Sequence, residues 1–150
     1  MASILVSTEI DATPHEVWDD LRHIGSHVEW MADAEAIRFT SEQRSGVGTT
    51  FDCATRLGPL RLNDRMAITA WDAPDAAGRA SMGVRHHGLV TGTGAFGLEP
   101  IGDDRTRFTW EEELAFPWWL GGPIGALAGR PVLAAVWRRN LQRLQDRFAS

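Results

Sequence analysis

The sequence predicts an α+β fold, a curved seven-stranded antiparallel sheet wrapped around a long C-terminal helix, with two short helices after the first strand. Three observations predict it. Strand-like runs between Glu35 and Phe116 are separated by short turn signals, and only antiparallel pairing suits such short connections. Within that span no helical period emerges. Beyond it, Leu133, Trp137, Leu141, Leu144 and Phe148 step by four, four, three and four residues, which draws one apolar stripe down a helix. The stripe needs an apolar partner, and the inner face of the sheet is the one available.

The elements follow in order. "SILVSTEI" (Ser3 to Ile10) alternates and is rich in β-formers, so it reads as the first strand. In "DATPHEVWDDL", Thr13 as N-cap, Pro14 at N1 and Glu16 at N3 make a capping box that opens a short helix. Gly25 is expected to end it, and Ser26 to cap a second short helix at "HVEWM". Six further strands are expected in "EAIRFT", "GTTFDCATRL", "LRLNDRMAITAW", "RASMGVRHH", "LVTGTGAFGLEP" and "TRFTWEEELAF". The last helix should run from about Pro123 to Phe148, with Pro131 kinking or breaking it. Arg138, Arg139, Arg143 and Arg147 lie on its other faces and read as a solvated surface.

Size and composition narrow the functions. A chain of 150 residues fits one domain, residues 1–150, able to bury roughly 70% of its unfolded surface. All fifteen basic residues are arginine, so a Schiff-base lysine and a P-loop lysine are excluded. Tyrosine is absent too, which removes the phenol as an acid or oxyanion donor. A net charge of −5 argues against nucleic acid as a partner. Cys53 is the one cysteine, so it forms no internal disulfide and reads as a small buried hydrophobe. "MASILVSTEID" lacks a basic n-region and does not read as a signal peptide, which leaves the cytoplasm as the expected location.

"FPWWLGGPIGALAGRP" (Phe116 to Pro131) carries its only charge at Arg130. The uncharged run from Leu114 to Gly129 is sixteen residues, short of the about 20 that a spanning helix needs. Three prolines interrupt the stretch further, so no membrane span is expected. The glycines at 121, 122, 125 and 129 suit a movable wall, while an ordinary Gly/Ala-rich helix start is the plainer alternative.

Strand order together with "ATPHEVWDDL", "HVEWM", "RSGVGTTF", "GTGAFGLEP", "TRFTWEEE" and "VWRRNLQRL" resembles the START-like superfamily, the helix-grip fold. The nearest branch is the polyketide cyclase/dehydrase and lipid-transport group. The resemblance covers nearly the whole chain and implies a deep, largely apolar cavity between the sheet and the C-terminal helix. It implies no single activity, since members include cyclases, lipid and sterol carriers, quinone binders and hormone receptors.

Alternation along the strands nominates the residues that face such a cavity. Phe108, Trp110, Glu112, Leu114 and Phe116 share one face; Asp64 falls with Met66 and Ile68, His86 with Met82, and Phe96 with Leu98. Asp64, Met66, Met82, His86, Phe96, Trp110 and Glu112 are therefore expected to touch a ligand, joined by Trp118, Trp119 and Leu127 from the apolar segment. The two tryptophans either guard the mouth or meet a second subunit in a homodimer. Three polar residues on apolar faces suit a cavity with a few fixed groups that orient an apolar ligand. His86 and Glu112 would form an acid/base pair if they lie within hydrogen-bond reach.

Other patterns carry less. "GTGAFG" (Gly92 to Gly97) has dinucleotide-loop spacing, but that motif must open a helix and here a strand runs through it. Sheet curvature, a bulge or cleared side-chain volume explains these glycines better. His23 and His27 have the spacing of a helical metal pair, yet Gly25-Ser26 separates them and no third ligand has sensible spacing, so no metal and no cofactor is expected. The leading reading is a binder or carrier of a lipid, polyketide or quinone-like molecule. The alternatives are a polyketide aromatase/cyclase or dehydratase using the same cavity, and a regulatory module whose tryptophan lid presents a surface to a partner.

Overall fold

The computed structural model describes residues 2–149. Seven strands form one antiparallel sheet: β1 (Ala2–Ile10), β2 (Ala34–Phe39), β3 (Thr50–Leu57), β4 (Leu60–Asp72), β5 (Ala80–His87), β6 (Thr91–Ile101) and β7 (Arg105–Ala115). Their order is β1-β7-β6-β5-β4-β3-β2, so consecutive strands from β2 onward pair with each other and β1 joins the far edge beside β7. Short turns force this meander. Register shifts at Ala34/Ala36 and between Ile68 and Ala70 bend the sheet, as bulges do.

Because β1 and β2 lie on opposite edges, two short helices cross between them. Helix α1 (Pro14–Leu21) starts with the N-cap half of the capping box: Thr13 accepts from the Glu16 N–H at 3.3 Å, while its hydroxyl donates to the Glu16 carboxylate at 3.2 Å in place of the reciprocal backbone bond. It buries Val17, Trp18 and Leu21. It ends with Arg22 as C-cap, before Gly25 is reached. Gly25 and Ser26 instead lie inside a 3₁₀ helix, Ile24–Glu29, for which Ser26 is no cap. Its bonds reach three residues back, Ser26 N–H to His23 C=O and Trp30 N–H to His27 C=O, a tighter turn that accommodates Gly25.

Helix α2 (Gly122–Arg147) packs on the inner face. Leu133, Trp137, Leu141 and Leu144 are buried, and Phe148, just past the end, packs half-buried against the same core. Pro131 does not break α2. The bond it forfeits is the one to the Leu127 carbonyl, and both residues lie on the exposed side of the helix, where that carbonyl can face solvent. The arginines divide into two groups. Arg138 and Arg139 are exposed, whereas Arg143 donates to the Glu29 carbonyl at 3.0 Å and Arg147 clasps Asp20 at 2.7 Å and Glu29 at 2.9 Å. The last turn is thereby tethered to both short helices. No helix among the described residues is long and apolar enough to cross a membrane.

The start of α2 explains its glycines by geometry. Gly121 and Gly122 have φ of 92° and 52°, the left-handed region. A Cβ on Gly125 would collide with the Leu120 carbonyl oxygen, while one on Gly129 would make an ordinary contact 3.5 Å from the Phe116 ring. A sharp turn into the helix requires the first three; Gly129 is not constrained. Gly125→Ala should therefore lower the urea midpoint clearly, whereas Gly129→Ala should leave it unchanged or raise stability by up to about 1 kcal/mol through helix propensity. Equal effects of the two substitutions in urea melts would contradict this account.

Candidate functional site

Between the concave face of the sheet and the first half of α2 lies a cavity of about 320 Å³. Its deep end is apolar: Phe51, Ile68, Met82, Phe96 and Trp110 come from the strands, and Trp137 closes it from α2. Trp110 and Trp137 stack at 4.7 Å with ring planes 13° apart, and Trp30 packs edge-on against both Trp110 and Phe108 behind them. The mouth opens where the β3–β4 and β5–β6 turns face α2. There Leu60, Leu89 and Val132 line the cavity and are also exposed.

Between mouth and deep end lies a chain of three polar side chains on β4, β5 and β7. His86 Nδ1–H donates to Asp64, with both carboxylate oxygens at 3.0 Å, and its Nε2–H donates to Glu112 Oε1 at 2.9 Å. Asp64 is reached diagonally, because His86 is paired with Met66. Glu112 is two strands away, with β6 in between. The residues of β6 opposite His86 and Glu112 are Gly92 and Gly94. With no side chain at Gly94 the imidazole and the carboxylate meet over the strand, while Gly92, at φ 138°, lets β6 pass close to the Glu113 carbonyl, which a Cβ would strike. A Cβ on Gly94 would stand 2.5 Å from Glu112 Oε1. Gly94 thus clears the volume that the contact occupies.

Electrostatics follows from this geometry. Burial by itself would lower the His86 pKa, but the hydrogen bonds from Asp64 and Glu112 outweigh it and raise the pKa to about 10. His86 is an imidazolium at neutral pH. Burial raises Glu112 against the opposing pull of His86. His27 is the reverse case: burial lowers it to about 4, although the Leu21 carbonyl, 2.7 Å from Nε2, opposes the shift. Burial also pushes the Cys53 thiol up to about 11, so it stays protonated and is a poor nucleophile.

Of the residues nominated from sequence, Asp64, Met66, Met82, His86, Phe96, Trp110 and Glu112 line this cavity together. Trp118, Trp119 and Leu127 lie outside it. Trp118 is 86% exposed and Trp119 49%. They belong to a single 3₁₀ turn, Trp118–Leu120, which directs only one side chain in three inward, and Leu120 takes that place. Leu127 follows the buried Ala126 and is turned by about 100° away from it, leaving it 66% exposed.

The sequence reasoning missed Asp33 and Asn140. Asn140, within the buried stripe of α2, donates to Asp33 Oδ1 at 2.7 Å and accepts from the Ala32 N–H at 2.9 Å. Asp33 lines the cavity, and burial raises its pKa despite the Asn140 hydrogen bond. The available signal was an asparagine between Trp137 and Leu141 on an otherwise apolar helix face. Its partner precedes β2 and has no periodic context that would mark it.

The two buried histidines make stability depend on pH in opposite senses. The unfolded chain protonates His27 near 6.5, the fold only near 4, so stability falls as pH drops between those values. For His86 the fold keeps the proton to about 10 while the unfolded chain releases it near 6.5, so stability is complete below 6.5 and is lost as pH rises through 10. Glu112 and Asp33, both raised by burial, lose their contribution from the carboxylate range upward and offset the His27 gain below 6.5. Urea melts should therefore show stability falling as pH rises from about 6.5 toward 10. Imidazole ¹⁵N shifts should show both His86 nitrogens protonated at pH 8, and Gly94→Ala, by displacing Glu112, should bring that titration down by more than one pH unit. A neutral His86 at pH 8 in the unaltered protein would overturn this assignment.

Comparison with known proteins agrees with the fold. An uncharacterised protein of Mycobacterium tuberculosis is 23% identical over 156 residues, covering 99% of both chains. A hypothetical protein from Helicobacter pylori superposes with a TM-score of 0.77 at 14% identity, over 98% of this chain and 88% of that one. A START superfamily protein from Mycobacterium smegmatis gives 0.75 at 9% identity, over 99% and 97%. The sequence model described as polyketide cyclase / dehydrase and lipid transport matches residues 1–150. With this match over its full length, on the curved sheet and gripping helix described above, the chain belongs to the polyketide cyclase/dehydrase and lipid transport family.

Proposed function

We propose that the protein binds one apolar small molecule, lipid, polyketide or quinone-like, in the cavity beneath α2. The observation that carries this reading is an apolar cavity of about 320 Å³, open at one end, whose principal polar feature is a single internally bonded chain. Its volume lies at the lower end of the roughly 300–1,000 Å³ of small-molecule sites. That suits one acyl chain or a few rings, and it is too small for a two-chain phospholipid. Family membership supports the same reading.

Acid/base turnover is the weaker reading, although the 2.9 Å contact between His86 and Glu112 meets its geometric condition. An imidazolium with a pKa of about 10 has no lone pair with which to act as a base at neutral pH. Both its N–H groups are already donated to carboxylates. His86 is built to hold charge in place.

A neutral fluorescent probe, N-phenyl-1-naphthylamine, should bind with 1:1 stoichiometry and gain emission. Val84 lies on the cavity wall between Met82 and His86 on β5, so Val84→Phe fills the space the probe needs. It should weaken binding at least tenfold while the far-UV spectrum is preserved. Undiminished binding in that variant would place the probe elsewhere and remove the support for this cavity as the binding site.

A further inference from the structure

We infer that the cavity selects its ligand by the polar head: it accepts an apolar molecule whose head donates a hydrogen bond, a hydroxyl or a protonated amine, and refuses one ending in a carboxylate. This rests on the binding reading above and adds the class of ligand.

The charged lining is one-sided. Asp33, Asp64 and Glu112 line the cavity, no arginine does, and the chain has no lysine. Among the described lining residues the only cationic group is His86, and both its N–H donors are committed to Asp64 and Glu112. His27 also lines the wall, but its Nε2–H is given to the Leu21 carbonyl and burial keeps it neutral. A ligand carboxylate would therefore meet carboxylates with no counter-charge left to receive it, an arrangement that like charges disfavour strongly out of water. A hydroxyl or ammonium finds acceptors. Asp64 is the accessible one, with 19% of its side chain open, against 8% for Glu112.

The position of these groups orients the ligand. Asp64 is four residues along β4 from Leu60 at the mouth, and His86 four residues along β5 from Met82 at the deep end. At about 3.3 Å per residue, roughly 13 Å of apolar wall lies on either side of the polar belt. A ligand with its head held at the belt lays its tail along this apolar wall.

The test is displacement of N-phenyl-1-naphthylamine at pH 7.5 by four ten-carbon compounds that differ only at the head: decan-1-ol, decylamine, 1-methoxydecane and decanoate. Decanol and decylamine should displace at concentrations at least tenfold lower than the other two. The methyl ether has the same tail with no donor, so it separates hydrogen bonding from mere greasiness. Asp64→Asn should cut the preference for decylamine over decanoate at least fivefold. Equal displacement by decanol and its ether, or by decylamine and decanoate, overturns the inference while leaving the cavity reading intact. Probe binding with no displacement by any of the four also overturns it. If the probe itself does not bind, both readings fail.

Discussion

Burying a carboxylate among apolar side chains costs several kcal/mol unless a counter-charge and hydrogen bonds offset it. Glu112, 8% exposed, meets that condition through His86, and the cavity's shape follows from how the two are brought together. Their strands are not neighbours. Contact requires an intervening strand bare of a side chain beside Glu112, which Gly94 provides, and a second carboxylate to hold the imidazole from behind, which Asp64 provides. The interaction thus ties β4, β5 and β7 together on their inner face. It also leaves a shallow stretch of β6 that no side chain fills, which is where the cavity passes over the sheet.

The helix side of the cavity depends on a different set of contacts. Trp137 stacked on Trp110 sets the distance between α2 and the sheet at the deep end, and Asn140, 0% exposed, pins the same turn of α2 to the segment before β2. Arg147 then holds the last turn to Asp20 and Glu29. The second half of α2 is fixed by packing, hydrogen bonds and ion pairs together. The first half, up to Val132, is largely exposed on its outer side and touches the cavity through Gly129 and Val132, joined by Leu120 of the preceding 3₁₀ turn. The wall is closed at one end and open at the other because the strong contacts are all at one end.

Period-2 alternation in β7 and the four-three stepping of α2 made the sheet's inner face and the helix stripe legible, since burial follows those periods directly. For the same reason Asp64, His86 and Glu112 could be assigned to one cavity face before any contact between them was known. What alternation does not encode is reach across strands: the bond between His86 and Glu112 depends on the register of β6, which is a property of pairing. The segment around Trp118 and Trp119 was misplaced because composition there says only that it is apolar. Its direction is decided by a one-turn 3₁₀ helix and by two left-handed glycines, features of backbone geometry that the surrounding sequence does not announce.

The polar belt also explains how an apolar cavity can remain both open and specific. An empty apolar cavity forfeits dispersion contacts along its lining, and it gains them back from any molecule of roughly the right shape. Shape alone therefore discriminates weakly; one methylene more or less is worth only about 1–3 kcal/mol. A buried polar group discriminates more sharply, because a wrong head leaves it unpaired in a place that water reaches poorly. In this protein the chain Asp64–His86–Glu112 is satisfied internally, so the fold does not need a ligand to complete it, and the described residues include no buried side-chain donor or acceptor without a partner. The remaining acceptor capacity of its carboxylates is free to test what enters. Stability and selectivity are thus carried by the same three side chains, with the imidazolium serving the first and the spare acceptor capacity of the carboxylates, Asp64 above all, serving the second.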